Sequence, residues 1–162
     1  MEIERAVSAL CSAGVEFVVI GGVAGILHGG AMVTFDLDIC YSRTTKNLHR
    51  LANALGPFHP RPRGFPKDLP FVWDQATIWN GSLFTLVTDL GDIDLLAEVD
   101  GVGSYEQAKE RSVLVEAYGY RFPILGLAEL IRSKRAAGRD KDLRVLPELE
   151  SLLEAQEPDQ GE

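Results

Sequence analysis

The segment 33–40 reads Val-Thr-Phe-Asp-Leu-Asp-Ile-Cys, and its alternation of apolar and polar side chains has the period of a β-strand. A strand here turns Phe35, Leu37 and Ile39 toward one face and Asp36, Asp38 and Cys40 toward the other. A helix would scatter the same residues around its axis, so the pattern excludes one. The fold must therefore supply a sheet whose second face tolerates two neighbouring carboxylates, at a separation that lets them bracket a hard cation.

An Asp-x-Asp pattern alone carries little weight. With aspartate at roughly 6% of residues, about one chance match arises in every couple of chains of this length. Three such pairs occur here: Asp36 with Asp38, Asp92 with Asp94, and Asp140 with Asp142. The last pair falls in a stretch with helical spacing, where residues two apart face different ways; the reading is a helix-cap or surface role. Asp94 is flanked by Ile93 and Leu95, which anchor it in a sheet, so it is preferred to Asp92 as a third carboxylate beside Asp36 and Asp38. Ionised carboxylates held together repel one another, and a divalent metal, Mg²⁺ before Mn²⁺, is the expected neutraliser.

The rest of the chain is punctuated around this strand. Ile3, Val7, Leu10 and Cys11 recur at helical spacing before Gly14, predicting a helix over 2–13. Residues 16–20 form a short β-branched run ending at Gly21-Gly22, as a buried strand entering a tight turn does. A short helix to about His28 follows. Thr44 or Thr45 caps a helix carrying Leu48, Leu51 and Leu55, and five prolines between Pro57 and Pro70 then predict a long irregular loop. Segments 83–88 and 92–97 form a hairpin about Asp89-Leu90-Gly91. Ser104 with Gln107 reads as a capping box, 113–117 and 120–124 as strands about Gly119, and 127–138 and 143–153 as helices. These elements make an α/β (α+β) domain with a mixed β-sheet, a single domain over 1–155 followed by a disordered acidic tail at 156–162.

Charge and composition narrow the partners. A net charge of −8 disfavours electrostatic wrapping of long nucleic acid, yet Arg132, Lys134, Arg135, Arg139, Lys141 and Arg144 crowd one stretch. No apolar run approaches the roughly 20 residues a membrane helix needs, and the N-terminus, Met1-Glu2-Ile3-Glu4-Arg5, is acidic where a secretory signal is basic. Only Cys11 and Cys40 are present, which suits a reducing compartment. The expectation is a cytoplasmic protein without a disulfide framework.

Gly21-Gly22, thirteen residues, Asp36-Leu37-Asp38 and a later Ile93-Asp94-Leu95 together resemble the nucleotidyltransferases of the DNA polymerase β superfamily, in particular minimal bacterial members of the abortive-infection toxin and antibiotic-nucleotidyltransferase branches. The likeness covers about half the chain. It implies a nucleotidyltransferase-like sheet flanked by helices, a nucleoside triphosphate held by Gly21 and Gly22, and two Mg²⁺ ions on Asp36, Asp38 and Asp94. It implies transfer of a nucleoside monophosphate to an acceptor, whether small molecule, RNA or protein, with release of pyrophosphate. Lys134 lies on the helix face of Leu127, Leu130 and Ile131; an inward lysine needs a partner, and triphosphate oxygens serve, with Arg139 and Lys141 as weaker candidates. His28 reads as structural. Met32 stands where relatives often carry a basic residue, and no separate acceptor-binding domain is visible. Acceptor recognition then falls to a homodimer or a partner subunit, as in a toxin–antitoxin pair.

Two other readings compete. A catalytically inactive nucleotide-binding or regulatory module would keep the same fold. A dinucleotide-binding oxidoreductase shares the apolar strand followed by glycines and an acid, but Gly21-Gly22-x-x-Gly25 departs from G-x-G-x-x-G, and that fold leaves Asp38 and Asp94 without a role.

Overall fold

The computed structural model describes residues 1–156. In chain order its elements are α1 (Ile3–Ser12), β1 (Phe17–Ile20), α2 (Gly21–Leu27), β2 (Asp36–Tyr41), α3 (Thr45–Leu55), a 3₁₀ turn (Gly56–Phe58), β3 (Arg61–Pro62) and α4 (Gln75–Trp79). They continue with β4 (Leu83–Thr88), β5 (Gly91–Leu96), β6 (Glu98–Val99), β7 (Gly103–Ser104), α5 (Tyr105–Glu110), β8 (Ser112–Ala117), β9 (Tyr120–Leu125), α6 (Leu127–Ala137) and α7 (Asp140–Gln156). Seven strands make one mixed sheet in the order β3-β4-β5-β2-β1-β9-β8, and β6 pairs with β7 apart from it. This is the α/β architecture the alternation of elements predicts.

Sheet register does most to build the site. β2 runs parallel to β5, with Leu37 beside Ile93, Ile39 beside Leu95, Asp36 beside Asp92 and Asp38 beside Asp94. Leu37, Ile39, Ile93 and Leu95 are all fully buried, each contributing about 1.5–3 kcal/mol by leaving water. A one-residue slip would exchange this apolar set for aspartates. Burial of four aliphatic side chains thus fixes which carboxylates meet on the opposite face.

β1 lies antiparallel on the other side of β2, pairing Ile20 with Asp38, so the start of α2 sits beside that carboxylate. The antiparallel pairing also removes the dinucleotide-binding reading, whose βαβ unit requires parallel strands joined through a crossover helix. Thr44 caps α3, its hydroxyl accepting from the Asn47 N–H. The Asn47 amide in turn ties Glu16 to Ser42, locking α3 onto the β1–β2 pair. At the capping box, the Gln107 side chain accepts from the Ser104 N–H at 2.8 Å.

Three expectations need correction, and one helix is additional. The strand predicted over 33–40 begins only at Asp36, and Phe35, expected beside Leu37 and Ile39, is 80% exposed, because the pairing with β5 starts at Asp36 and β1 reaches only as far as Asp38, so residues ahead of Asp36 have no neighbouring strand to align them. The proline-rich stretch is not wholly irregular: Arg61 and Pro62 pair with Val87 and Leu86 at the sheet edge, where a proline costs no ladder bond on its outer side. Helix α4, unexpected from the sequence, starts at Asp74, whose carboxylate accepts from the Thr77 N–H at 2.8 Å. The final helix extends back to Asp140 and forward to Gln156, one residue into the stretch read as a tail; 157–162 lie outside the described residues. Among those described, no helix is long and apolar enough to cross a membrane. Cys11 and Cys40 are unbridged.

Candidate functional site

Asp36 and Asp38 leave β2 on the face opposite Leu37 and Ile39, and Asp94 leaves β5 beside them. One carboxylate oxygen from each lies within 4.8 Å of the others. Asp92, which the register sets against Asp36, is outside this trio and turns toward Arg63. The structure thus brings Asp94, and not Asp92, together with Asp36 and Asp38. Thr34 braces the group, its hydroxyl donating to the Asp36 carbonyl at 3.1 Å and to Asp36 Oδ1 at 3.2 Å.

Asp38 lies deepest. Its Oδ1 is buried and accepts no hydrogen bond, alone in this among the buried side-chain polar atoms of the described residues. Burial, then the charges of Asp36 and Asp94, push its carboxyl up to about 7, with Lys134 opposing. Burial also raises Asp94, partly countered by the Arg63 guanidinium. A buried acceptor without a donor costs about 1–3 kcal/mol, and a divalent cation is a partner that three converging carboxylates would accept. Oxygen ligands of this kind suit Mg²⁺ or Mn²⁺. The donor set fits such an ion.

The glycines make room. Gly21 has φ of +66°, and a Cβ on it would lie 2.3 Å from Asp38 Oδ2, so both the backbone and the carboxylate require glycine. A Cβ on Gly22 would meet the Thr34 side chain at 2.8 Å. Gly22 lines the cleft that holds the acids, and Gly21 does not. The cleft encloses about 310 Å³ between Asp36, Asp38 and Asp94 on one side and Lys134, Arg139 and Lys141 on the other.

Lys134 and Arg139 do reach the cleft, but their partner is internal. Asp142 is fully buried; it accepts from Lys134 Nζ at 3.2 Å, Arg139 Nε at 2.7 Å and the Arg139 backbone N–H at 3.2 Å. Burial alone would raise its carboxyl, yet the bonds from Arg139 and Lys134 outweigh that and hold it below the ordinary aspartate value. Of the helix-cap or surface role read for Asp142, the surface position is overturned and the cap is present: it accepts from the Arg139 N–H at the start of α7 and clamps two cations. Asp140, two residues earlier, is exposed, as the helical argument requires. His28 is structural in its contacts, its Nε2 2.8 Å from the Leu125 carbonyl.

Sequence reasoning misses Arg63. Its Nε lies 3.2 Å from Asp92 Oδ2 and its Nη2 2.9 Å from Asp94 Oδ1. The alternation of Asp92 and Asp94 on one strand face signals a shared cation, but nothing local says that a residue thirty positions upstream supplies it.

No protein-family model matches the sequence, and no curated protein matches it. Among solved structures, the fold is similar to the crystal structure of a "putative nucleotidyltransferase" from Thermotoga maritima, with a TM-score of 0.60, 14% identity, and coverage of 92% of this chain and 90% of that one. Likeness at that identity is likeness of fold, and the fold is nucleotidyltransferase-like.

Proposed function

We propose that the chain is a metal-dependent nucleotidyltransferase, moving a nucleoside monophosphate from a nucleoside triphosphate to a hydroxyl-bearing acceptor with release of pyrophosphate. The observation that carries this reading is the unpartnered, buried Asp38 Oδ1 set among the oxygens of Asp36 and Asp94. A structural cluster of acids would be satisfied by hydrogen-bond donors from the protein. This one keeps its deepest oxygen free and faces a cleft whose opposite wall is basic.

Asp36, Asp38 and Asp94 would hold two Mg²⁺ ions. Bound there, the ions supply a lowered pKa for the attacking hydroxyl and positive charge against the departing pyrophosphate. Lys134 and Arg139, set in place by Asp142, bind phosphate oxygens in the cleft that Gly22 also lines. The protein's own contribution is positioning: the β2–β5 register sets the acids and the α6–α7 junction sets the cations, both before substrate arrives.

The test is incubation with labelled nucleoside triphosphates, Mg²⁺ or Mn²⁺, and small-molecule, RNA and protein acceptors in parallel, a second copy of the chain and a partner subunit among them. Metal-dependent pyrophosphate release with label on one acceptor class is expected, and Asp38→Asn should abolish it. Activity retained in Asp38→Asn, or unaffected by chelation, would remove the triad from the reaction.

A further inference from the structure

Arg63 is the feature the proposed chemistry does not absorb. It follows the edge strand β3, and its backbone N–H donates to the Thr85 carbonyl at 2.8 Å. Thr85 is paired with Asp94. The arginine is therefore delivered to the acidic face by the sheet ladder itself, from a segment that would otherwise be read as linker. Its guanidinium crosses β4 and spans two carboxylates: Nη2 on Asp94, a member of the triad, and Nε on Asp92, which is not. The side chain remains 38% exposed, so it has room to turn.

The two contacts are unequal in what they do. Asp92 offers a permanent anchor. Asp94 is needed elsewhere: a carboxylate that shares its charge with a divalent cation attracts a guanidinium less, and two positive groups close to one carboxylate repel each other. A guanidinium loosened at one end and held at the other is a planar fork with free donors, and its natural acceptors are the paired oxygens of a phosphate.

We propose that Arg63 is a nucleotide-binding residue parked on the metal site. In the metal-free protein it counterbalances Asp92 and Asp94; it gives up Asp94 when that carboxylate takes a divalent cation, and its freed donors then bind phosphate oxygens of the nucleoside triphosphate. This rests on the reading of Asp36, Asp38 and Asp94 as a metal centre. It adds a fourth cation to the cleft, arriving from the strand side opposite Lys134 and Arg139.

The signature is a pair of effects with opposite sign. Chelator-treated full-length protein is titrated calorimetrically with Mn²⁺ alone, then at saturating Mn²⁺ with a non-hydrolysable nucleoside triphosphate, as wild type, Arg63→Gln and Arg63→Lys. Arg63→Gln should bind Mn²⁺ about fivefold tighter, since a competing cation is gone, and the nucleotide about tenfold weaker, since a charge-assisted phosphate contact is gone. Arg63→Lys, which keeps the charge without the fork, should fall between for the nucleotide. Weaker Mn²⁺ binding in Arg63→Gln would make Arg63 a fixed support of Asp94 and overturn the proposal. Unchanged affinities would reduce it to a surface ion pair, and tighter Mn²⁺ with unchanged nucleotide affinity would remove the phosphate contact. Circular dichroism checks that each variant is folded, and Arg63→Lys carries the test if Arg63→Gln is not. Should wild type take up no Mn²⁺ at all, the metal-centre reading fails first and independently.

Discussion

Replacing Asp38 by asparagine should make the metal-free protein more stable at pH 8. The Asp38 carboxyl is pushed from 3.8 to about 7 by burial and by Asp36 and Asp94. The folded chain therefore holds a proton that the unfolded chain has released across that window, and stability falls as pH rises from about 4 to about 7. Above pH 7 the folded protein carries the full cost of an ionised Asp38. A shift of about three units at roughly 1.4 kcal/mol each sets a ceiling of about 4 kcal/mol, and water at the open side of the cleft lowers it. Asparagine has the shape of the protonated acid and carries no charge to bury. Urea denaturation in the presence of a chelator should show Asp38→Asn more stable than wild type by about 1 kcal/mol or more at pH 8, with the difference shrinking toward zero near pH 5. Adding Mg²⁺ should reverse the order at pH 8, because wild type gains binding free energy and the variant does not. An asparagine variant equal to or weaker than wild type at pH 8 without metal would refute the argument that Asp38 is held ionised at a cost.

Gly21→Ala should lower stability by about 1–3 kcal/mol through its positive φ and should also abolish Mn²⁺ binding, because the new Cβ displaces Asp38 Oδ2; calorimetry on the folded variant checks the second effect, and intact Mn²⁺ affinity would separate Gly21 from the site. Asp142→Asn leaves Lys134 and Arg139 without their shared anion; about 2 kcal/mol of stability should be lost, with nucleotide affinity weakened while Mn²⁺ affinity is kept. Equal loss of both affinities would point to general unfolding of the α6–α7 junction.

Where the physics is local, the sequence shows it. The β2 and β5 strands are legible because Leu37, Ile39, Ile93 and Leu95 repeat with period two, and the same repeat places Asp36, Asp38 and Asp94. The capping box at Ser104 and the β8–β9 hairpin are equally short-range. What the sequence hides depends on contacts distant along the chain. Arg63 meets Asp94 only because Arg61 and Pro62 pair with β4, a contact that a proline-rich stretch conceals. Asp142 looks like one of a pair of surface acids, since its burial comes from α6 folding back along α7. The inward position of Lys134 is readable from its helix face, but the buried Asp142 carboxylate that holds it is not. Phe35 keeps the strand alternation while having no strand beside it.

The proposed chemistry requires a divalent cation among Asp36, Asp38 and Asp94, and the most direct measurement of it is anomalous diffraction from a crystal soaked with Mn²⁺ and a non-hydrolysable nucleoside triphosphate. The expected map has Mn²⁺ bound by all three carboxylates, Asp38 Oδ1 among the ligands, with triphosphate oxygens between the metal and Lys134. Mn²⁺ bound elsewhere while the three aspartates stay free of metal would contradict it.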